Sequence, residues 1–177
     1  MTESMIYFIA TLTVALLLLF SILFFTLKNG ISPMPTSSKT RKHLFSVLPN
    51  LEKGNIVDLG SGWGNLIFPL SKRYDTCEII GYENSPLPYF FSSLINHFPN
   101  LKILRQDFFT KSLGEADLVI CYLFPKGMEK LKVKLDRELK LGAKVVTHTF
   151  AIPGWTPTQT FQVDDLYQSK IYVYEVT

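Results

Sequence analysis

The chain has 177 residues, 47% of them hydrophobic and only 19% charged, with a formal net charge of +3 and a mean hydropathy of +0.17. That length suits one ordinary domain and excludes a TIM barrel, which takes about 250 residues, or a two-domain dehydrogenase. A slightly apolar, slightly basic average fits either a greasy nucleic-acid-binding domain or a membrane segment attached to an ordinary one, and the positions of the residues decide between them.

From residue 4 to residue 27 there is no charged side chain, and the run Met5 to Leu27 is dominated by Leu, Ile, Phe and Val. As a helix, such a run extends ~36 Å at ~1.5 Å per residue, more than the ~30 Å of bilayer hydrocarbon. A cleaved signal peptide calls for a basic leader, a shorter apolar core and a small-residue cleavage site. Glu3, the length of the run and Leu27-Lys28-Asn29 disagree with each of these. Residues 1–27 therefore read as a segment containing a transmembrane helix, with membrane lipid as its partner.

Glu3 is the one charge in residues 1–27. Four cations follow in 28–42 (Lys28, Lys39, Arg41, Lys42), and residues 43–177 balance at 14 Lys+Arg against 14 Asp+Glu. The basic excess is thus juxtamembrane, the positive-inside pattern. It predicts a single-pass protein with its C-terminal domain on the cytoplasmic side, or a topologically equivalent one. No basic stripe is left for nucleic acid.

Residues 28–38, with Gly30, Pro33, Pro35 and three serines, read as a basic linker, and residues 39–177 as the domain. Ser38 can cap a short helix through Leu48. Strands are expected at 55–59, 77–82, 101–104, 117–122 and 143–150. Helices are expected at 66–74, 85–97 and 127–141, the last on the spacing of Met128, Leu131, Leu135 and Leu139. Continuous apolar strands alternating with helices predict an α/β fold with a mostly parallel, Rossmann-like sheet. Two closely spaced candidates, 158–163 and 170–176, predict an antiparallel hairpin at one edge.

Asp58-Leu59-Gly60-Ser61-Gly62-Trp63-Gly64 follows the first strand and opens a helix. Alternate glycines let a backbone turn sharply and approach a ligand, and amides at a helix N-terminus favour a negative group. The spacing is not the Gly-x-Gly-x-x-Gly of dinucleotide folds, because Asn65 stands where the third glycine would be. Glu83 ends the second strand, where a carboxylate can accept from both hydroxyls of a ribose. Asp107 follows the third strand, placed to accept from an adenine amino group with Phe108 beside the ring. Acidic residues at three successive strand ends line the crevice where open α/β sheets bind ligands.

Residues 53–124 resemble the core of a class I S-adenosylmethionine-dependent methyltransferase, on Asp58 to Gly64, Gly81-Tyr82-Glu83 and Gln106-Asp107. The resemblance implies S-adenosyl-L-methionine as cofactor. Asp58, Gly60, Ser61, Gly62 and Gly64 would hold its methionine part, Glu83 its ribose, and Asp107 and Phe108 its adenine. A further resemblance covers nearly the whole chain: a membrane helix, a Pro-x-Pro-Thr-Ser-like linker (Pro33 to Ser37), the glycine loop, Tyr122-Leu123-Phe124-Pro125 and Gly154-Trp155-Thr156-Pro157, in that order. It is similar to the membrane-anchored protein-lysine methyltransferases that act on adenine nucleotide translocase and on the c-ring protein of ATP synthase, and to their prokaryotic relatives. Trp63 and Asn65 stand where that family tends to have Asp and Arg.

The resemblance makes Tyr122, Phe124 and Pro125 the acceptor loop, able to hold a lysine amine of a membrane or membrane-proximal protein, although Tyr122 also reads as a packed strand end. Trp155 either walls the substrate pocket or plugs the sheet. Acceptors that are small molecules or lipids stay open, as does a cofactor-binding module without catalysis, which Trp63 in the loop would suit. Asp117 and His148 read as structural, Cys77 and Cys121 as buried thiols, and Lys126, Lys130, Lys132 and Lys134 as a solvated helix face. Two cysteines cannot make a zinc site, and His43, His97 and His148 match no ligand spacing, so no metal is expected.

Overall fold

In the computed structural model, residues 2–30 and 36–177 are described. The helix α1 (Glu3–Asn29) has 27 residues, none of them buried, and a mean hydropathy of 2.7 over its most apolar stretch, so it is long and apolar enough to cross a membrane. It runs two residues beyond the expected boundary at Leu27 and ends where Gly30 turns into the left-handed region at φ 70°. Residues 31–35 of the expected linker, and with them most of the Pro33 to Ser37 motif, lie outside the described residues, whereas Lys28 and Asn29 form the end of α1. The next helix, α2 (Ser38–Val47), is capped by Ser37, not Ser38: its hydroxyl accepts from the Thr40 amide at 3.1 Å.

Seven strands follow: β1 (Asn55–Leu59), β2 (Glu78–Tyr82), β3 (Leu101–Leu104), β4 (Leu118–Cys121), β5 (Lys144–His148), β6 (Gln159–Gln162) and β7 (Lys170–Glu175). They form one sheet in the order β3-β2-β1-β4-β5-β7-β6. The first five are parallel, and β7 is antiparallel to both β5 and β6. The expected edge hairpin is present, with the last strand inside it and β6 outermost. The helices α3 (Ile67–Arg73), α4 (Pro86–Ile95) and α5 (Pro125–Glu138) connect the parallel strands, with a 3-10 turn at Phe108–Thr110 after β3.

Side chains alternate across a strand, so each central strand serves two cores. Ile56, Leu118 and Ile120 pack with Leu44 of α2 and Ile67 and Leu70 of α3. Val57, Val119 and Cys121 pack on the other face with Met128, Leu131 and Leu135 of α5. Burial on both faces explains why these strands read as unbroken apolar runs. Both cysteines are free and buried, as expected.

Helix ends differ from expectation for local reasons. Pro125 takes the first helical position of α5, where its missing amide costs no hydrogen bond. Leu139 turns extended (ψ 139°), ending α5 before the expected Leu141. Asn96 ends α4 by donating to the Leu101 carbonyl and accepting from the Phe98 amide.

Candidate active site

The strand order reverses between β1 and β4, and in open α/β sheets ligands bind beyond the strand C-termini at such a point. A cavity of about 590 Å³ opens there. That volume falls in the usual range for small-molecule sites, ~300–1,000 Å³.

The glycine loop forms one wall. Gly60, Gly62 and Gly64 all have positive φ, at 96°, 55° and 92°. The Gly60 and Ser61 amides both donate to the Tyr82 carbonyl, at 2.9 and 3.0 Å, which ties the loop to the end of β2. A Cβ added at Gly60 would meet no atom within 4 Å, so the backbone there faces open space. The helix after the loop starts at Ile67 and has seven residues. The loop borders the cavity, and so does Leu66, the residue that precedes the first turn of α3.

Asp58 sits at the base, 4% exposed. Burial first, and the nearby Glu83 charge second, push its carboxyl up to about 7. Among the described residues its Oδ2 and the Ser61 hydroxyl are buried without a hydrogen-bond partner. Buried polar atoms are normally paired, so these two suit a ligand with donors at this depth. Glu83 is also buried and already committed in part: Oε2 accepts from the Gly62 amide at 2.9 Å and Oε1 from the Ser85 amide at 2.7 Å. It fastens the loop to the start of α4 and keeps lone pairs for hydroxyl donors. Asp107 caps the 3-10 turn by accepting from the Phe109 amide at 2.9 Å, with Phe108 next to it on the cavity wall. An orphaned acid at the base, a carboxylate beyond β2 and a capped acid beside an aromatic ring beyond β3 fit S-adenosylmethionine, which carries an ammonium, a ribose and an adenine.

The opposite wall comes from β4 and β5. Tyr122 follows β4, and its ring stacks on His148 at 4.3 Å between centroids and 11° between planes. Burial pushes the Tyr122 phenol up and takes the His148 imidazole down to about 4, so the pair is uncharged at neutral pH. Thr149, next to His148, has φ 71°, a strained conformation for a β-branched residue. Phe124 lines the cavity too, and its ring lies where a Cβ on Gly30 would be, only 2.5 Å away.

The cavity thus gathers Asp58, Gly60, Ser61 and Gly62 with Glu83, Asp107, Phe108, Tyr122 and Phe124. Gly64, Pro125 and Trp155 do not line it. A Cβ on Gly64 would strike the Phe68 ring at 2.2 Å, so this glycine serves loop packing. Trp155 donates to Asp136 on α5 at 2.7 Å and meets Tyr174 edge-on at 5.7 Å, which makes it a plug rather than a pocket wall.

Other lining residues escape a sequence reading. His148, expected to be structural, lines the cavity. Its place at the C-terminal end of β5, level with the other strand ends, is the signal that could have marked it. Leu27, Lys28, Asn29 and Gly30, at the base of α1, also border the cavity, and nothing local in the sequence marks them. The lysines of α5 divide. Lys126 and Lys130 line the cavity, whereas Lys134 is buried and pairs with Glu138 at 2.7 Å, contrary to the expected solvated face. Asp117 is structural as expected, accepting from the Asn55 amide at 2.8 Å and pairing with Lys140 at 2.6 Å.

Residues 58–159 match the family model described as the ANTKMT methyltransferase domain. The chain is 30% identical over 137 residues to a protein-lysine N-methyltransferase of Saccharolobus islandicus (strain REY15A), covering 75% of this chain and 84% of that protein. It is 31% identical over 108 residues to the adenine nucleotide translocase lysine N-methyltransferase of Mus musculus, covering 59% of this chain and 47% of that one. The chain thus spans most of the archaeal relative and about half of the mouse one. In three dimensions it resembles an RNA methyltransferase from Salinibacter ruber in complex with S-adenosyl-L-homocysteine, with a TM-score of 0.71, 24% identity and coverage of 81% and 94% of the two chains.

Proposed function

The chain belongs to the family of ANTKMT methyltransferase domains and is an S-adenosylmethionine-dependent methyltransferase, and from that premise we propose that it methylates a lysine side chain of a membrane or membrane-proximal protein. The lysine acceptor is supported by two relatives named for it, one archaeal and one from mouse. The observation that carries the membrane part is the last turn of α1 on the cavity wall, which joins a helix of membrane-spanning length to the site itself. The cluster Lys28, Lys39, Arg41 and Lys42 favours the cytoplasmic face, or its topological equivalent, for the domain.

Bound S-adenosylmethionine supplies a methyl group on a cationic sulfonium. Asp58 would accept from the cofactor's ammonium and Glu83 from its ribose hydroxyls, and Asp107 and Phe108 would border its adenine. Tyr122 and Phe124 line the cavity and would flank the amine, presenting aromatic faces, which attract cationic groups. A lysine reacts only as the neutral amine, and withdrawal from water lowers its pKa toward that form. The uncharged His148 adds no competing cation to the pocket. The residues here position and dehydrate the two reactants, which can account for much of the acceleration. Solvent takes the proton.

Incubation of the full chain with methyl-labelled S-adenosylmethionine and membranes, followed by acid hydrolysis, should yield methyl-lysine. Label recovered only in the lipid extract would overturn the lysine reading in favour of a lipid acceptor.

A further inference from the structure

α4 is amphipathic the wrong way round for a helix in water. Its buried residues are Pro88 and Ser92, whose hydroxyl donates back to the Pro88 carbonyl at 2.8 Å. Its outward residues are Phe90, Phe91, Leu94 and Ile95, between 43% and 72% exposed. A surface helix normally turns its apolar stripe to the core and its polar face to solvent. No charged residue occurs from Asn84 to Leu101, so the exposed face is neutral as well as apolar. The other large apolar side chains exposed on the domain, Val133, Leu141, Leu166 and Tyr167, lie on α5 or in loops.

The neighbour of this face points to its occupant. Residues 3–20 of α1 are exposed throughout, whereas Ser21, Ile22, Phe25, Thr26 and Asn29 are half-buried. That spacing marks one side of a helix. Ser21, Ile22 and Phe25 meet Ser85 to Pro88, at the start of α4. The start of α4 is therefore level with the last turns of the uncharged run of α1, not beyond its end. From Ile22 to Lys28 the helix rises only ~9 Å at ~1.5 Å per residue. If α1 spans a bilayer, α4 lies at the boundary between headgroups and acyl chains. The rim agrees: Trp63 meets Phe91 edge-on at 5.8 Å, and Arg41 donates to the Asn65 carbonyl two residues further on. Trp is favoured at membrane interfaces, and cations favour anionic headgroups.

We propose that the exposed face of α4 is a second membrane contact, immersed in the lipid interface beside α1. This rests on the reading of α1 as a bilayer span and deepens the functional proposal. Two lipid contacts, a span and an interfacial helix, fix the tilt of the domain against the bilayer, which a span alone would leave less constrained. Glu83 holds the start of α4 to the glycine loop, so the mouth of the cavity is then held at headgroup level, where a lysine flanking a membrane helix would sit.

The test uses the full chain in vesicles of phosphatidylcholine and phosphatidylglycerol, with single nitroxide labels at Leu16→Cys, Phe90→Cys, Leu94→Cys or Leu166→Cys. The two native thiols are buried. Binding of S-adenosylhomocysteine verifies the fold of each labelled chain. Collision of the label with oxygen and with a water-soluble nickel complex gives its depth. The expected result is Leu16→Cys deep in the bilayer, Leu166→Cys in water, and Phe90→Cys and Leu94→Cys at the acyl boundary with several-fold lower nickel access than Leu166→Cys. Water-like access at both α4 positions, with Leu16→Cys deep, overturns the second contact and leaves the anchor intact. Water-like access at Leu16→Cys overturns both. Nickel access at α4 that falls only when membrane proteins are added to the vesicles overturns lipid as the occupant in favour of a protein partner.

Discussion

Asn29 and Asn84 exchange a reciprocal pair of side-chain amide hydrogen bonds, at 2.8 and 3.0 Å, across 55 residues of sequence. One is the last residue of α1, and the other directly follows Glu83. The pair clamps the base of the apolar helix onto the edge of the cofactor site, and Asn29 also donates to Ser85 at 3.2 Å. Removing either amide leaves the last turn of α1 less firmly seated as a cavity wall. Asn29→Ala and Asn84→Ala are each expected to weaken S-adenosylhomocysteine binding by up to about tenfold, the equivalent of one to two net hydrogen bonds of ~1 kcal/mol each. Because the two share one interaction, the double variant should lose little more than either single one. Calorimetry on the three proteins checks this, and full additivity would refute the clamp.

Asp58 makes the protein pH-dependent in two opposite ways. Its carboxyl is held near 7 in the fold, against an ordinary value of 3.8. The folded protein thus keeps a proton that the unfolded chain has released. This stabilisation is fully present below about pH 4 and is lost as the pH rises through about 7, on the order of 4 kcal/mol in all. Cofactor binding runs the other way, since the ionised form accepts from an ammonium, and affinity should rise from pH 6 to 8. Asp58→Asn should flatten both curves, in thermal unfolding and in calorimetry. Asp58→Ala should abolish measurable cofactor binding without destabilising the protein alone.

Glu83→Ala should also abolish cofactor affinity, but at a cost in stability. It leaves the Gly62 and Ser85 amides without their acceptor. Each buried unpaired donor costs ~1–3 kcal/mol. A midpoint of unfolding close to that of the unmodified protein would show that Glu83 does not brace the loop.

Tyr122→Phe separates packing from chemistry. The phenyl ring keeps the stack on His148 and loses the hydroxyl, which burial keeps protonated. Turnover should fall by about tenfold, the cost of one hydrogen bond of ~1–1.5 kcal/mol, with cofactor affinity unchanged. Full turnover would make Tyr122 a packed strand end and nothing more.

Thr149→Gly should raise stability by about 1 kcal/mol, because φ 71° strains a β-branched residue and suits glycine. The same change loosens the end of β5, which carries His148, so turnover should fall as the melting temperature rises. A stabilised variant with unchanged turnover would show that the strain has no bearing on the site.

The parts of the fold governed by local rules were legible in the order of the residues. Burial on both faces makes a parallel strand an unbroken apolar run, so β1 to β5 could be read to within two residues at each end. Alternate glycines after β1, followed by acids at the ends of β2 and β3, mark a cofactor crevice because strand order brings those ends together. A long uncharged run marks α1 because hydrocarbon admits no charge cheaply. Tertiary structure alone decided what depends on which distant side chains meet. Trp155 could face the pocket or the sheet, and Asp136 and Tyr174 settled it. His148 could point to either core, and its stack on Tyr122 turned it into the cavity. Lys134 lies in what reads as a solvated lysine face, yet Glu138 draws it inside. The base of α1 reached the cofactor site through Asn84, a contact with no local signature, because its energy comes from a pairing that exists only after the chain has folded.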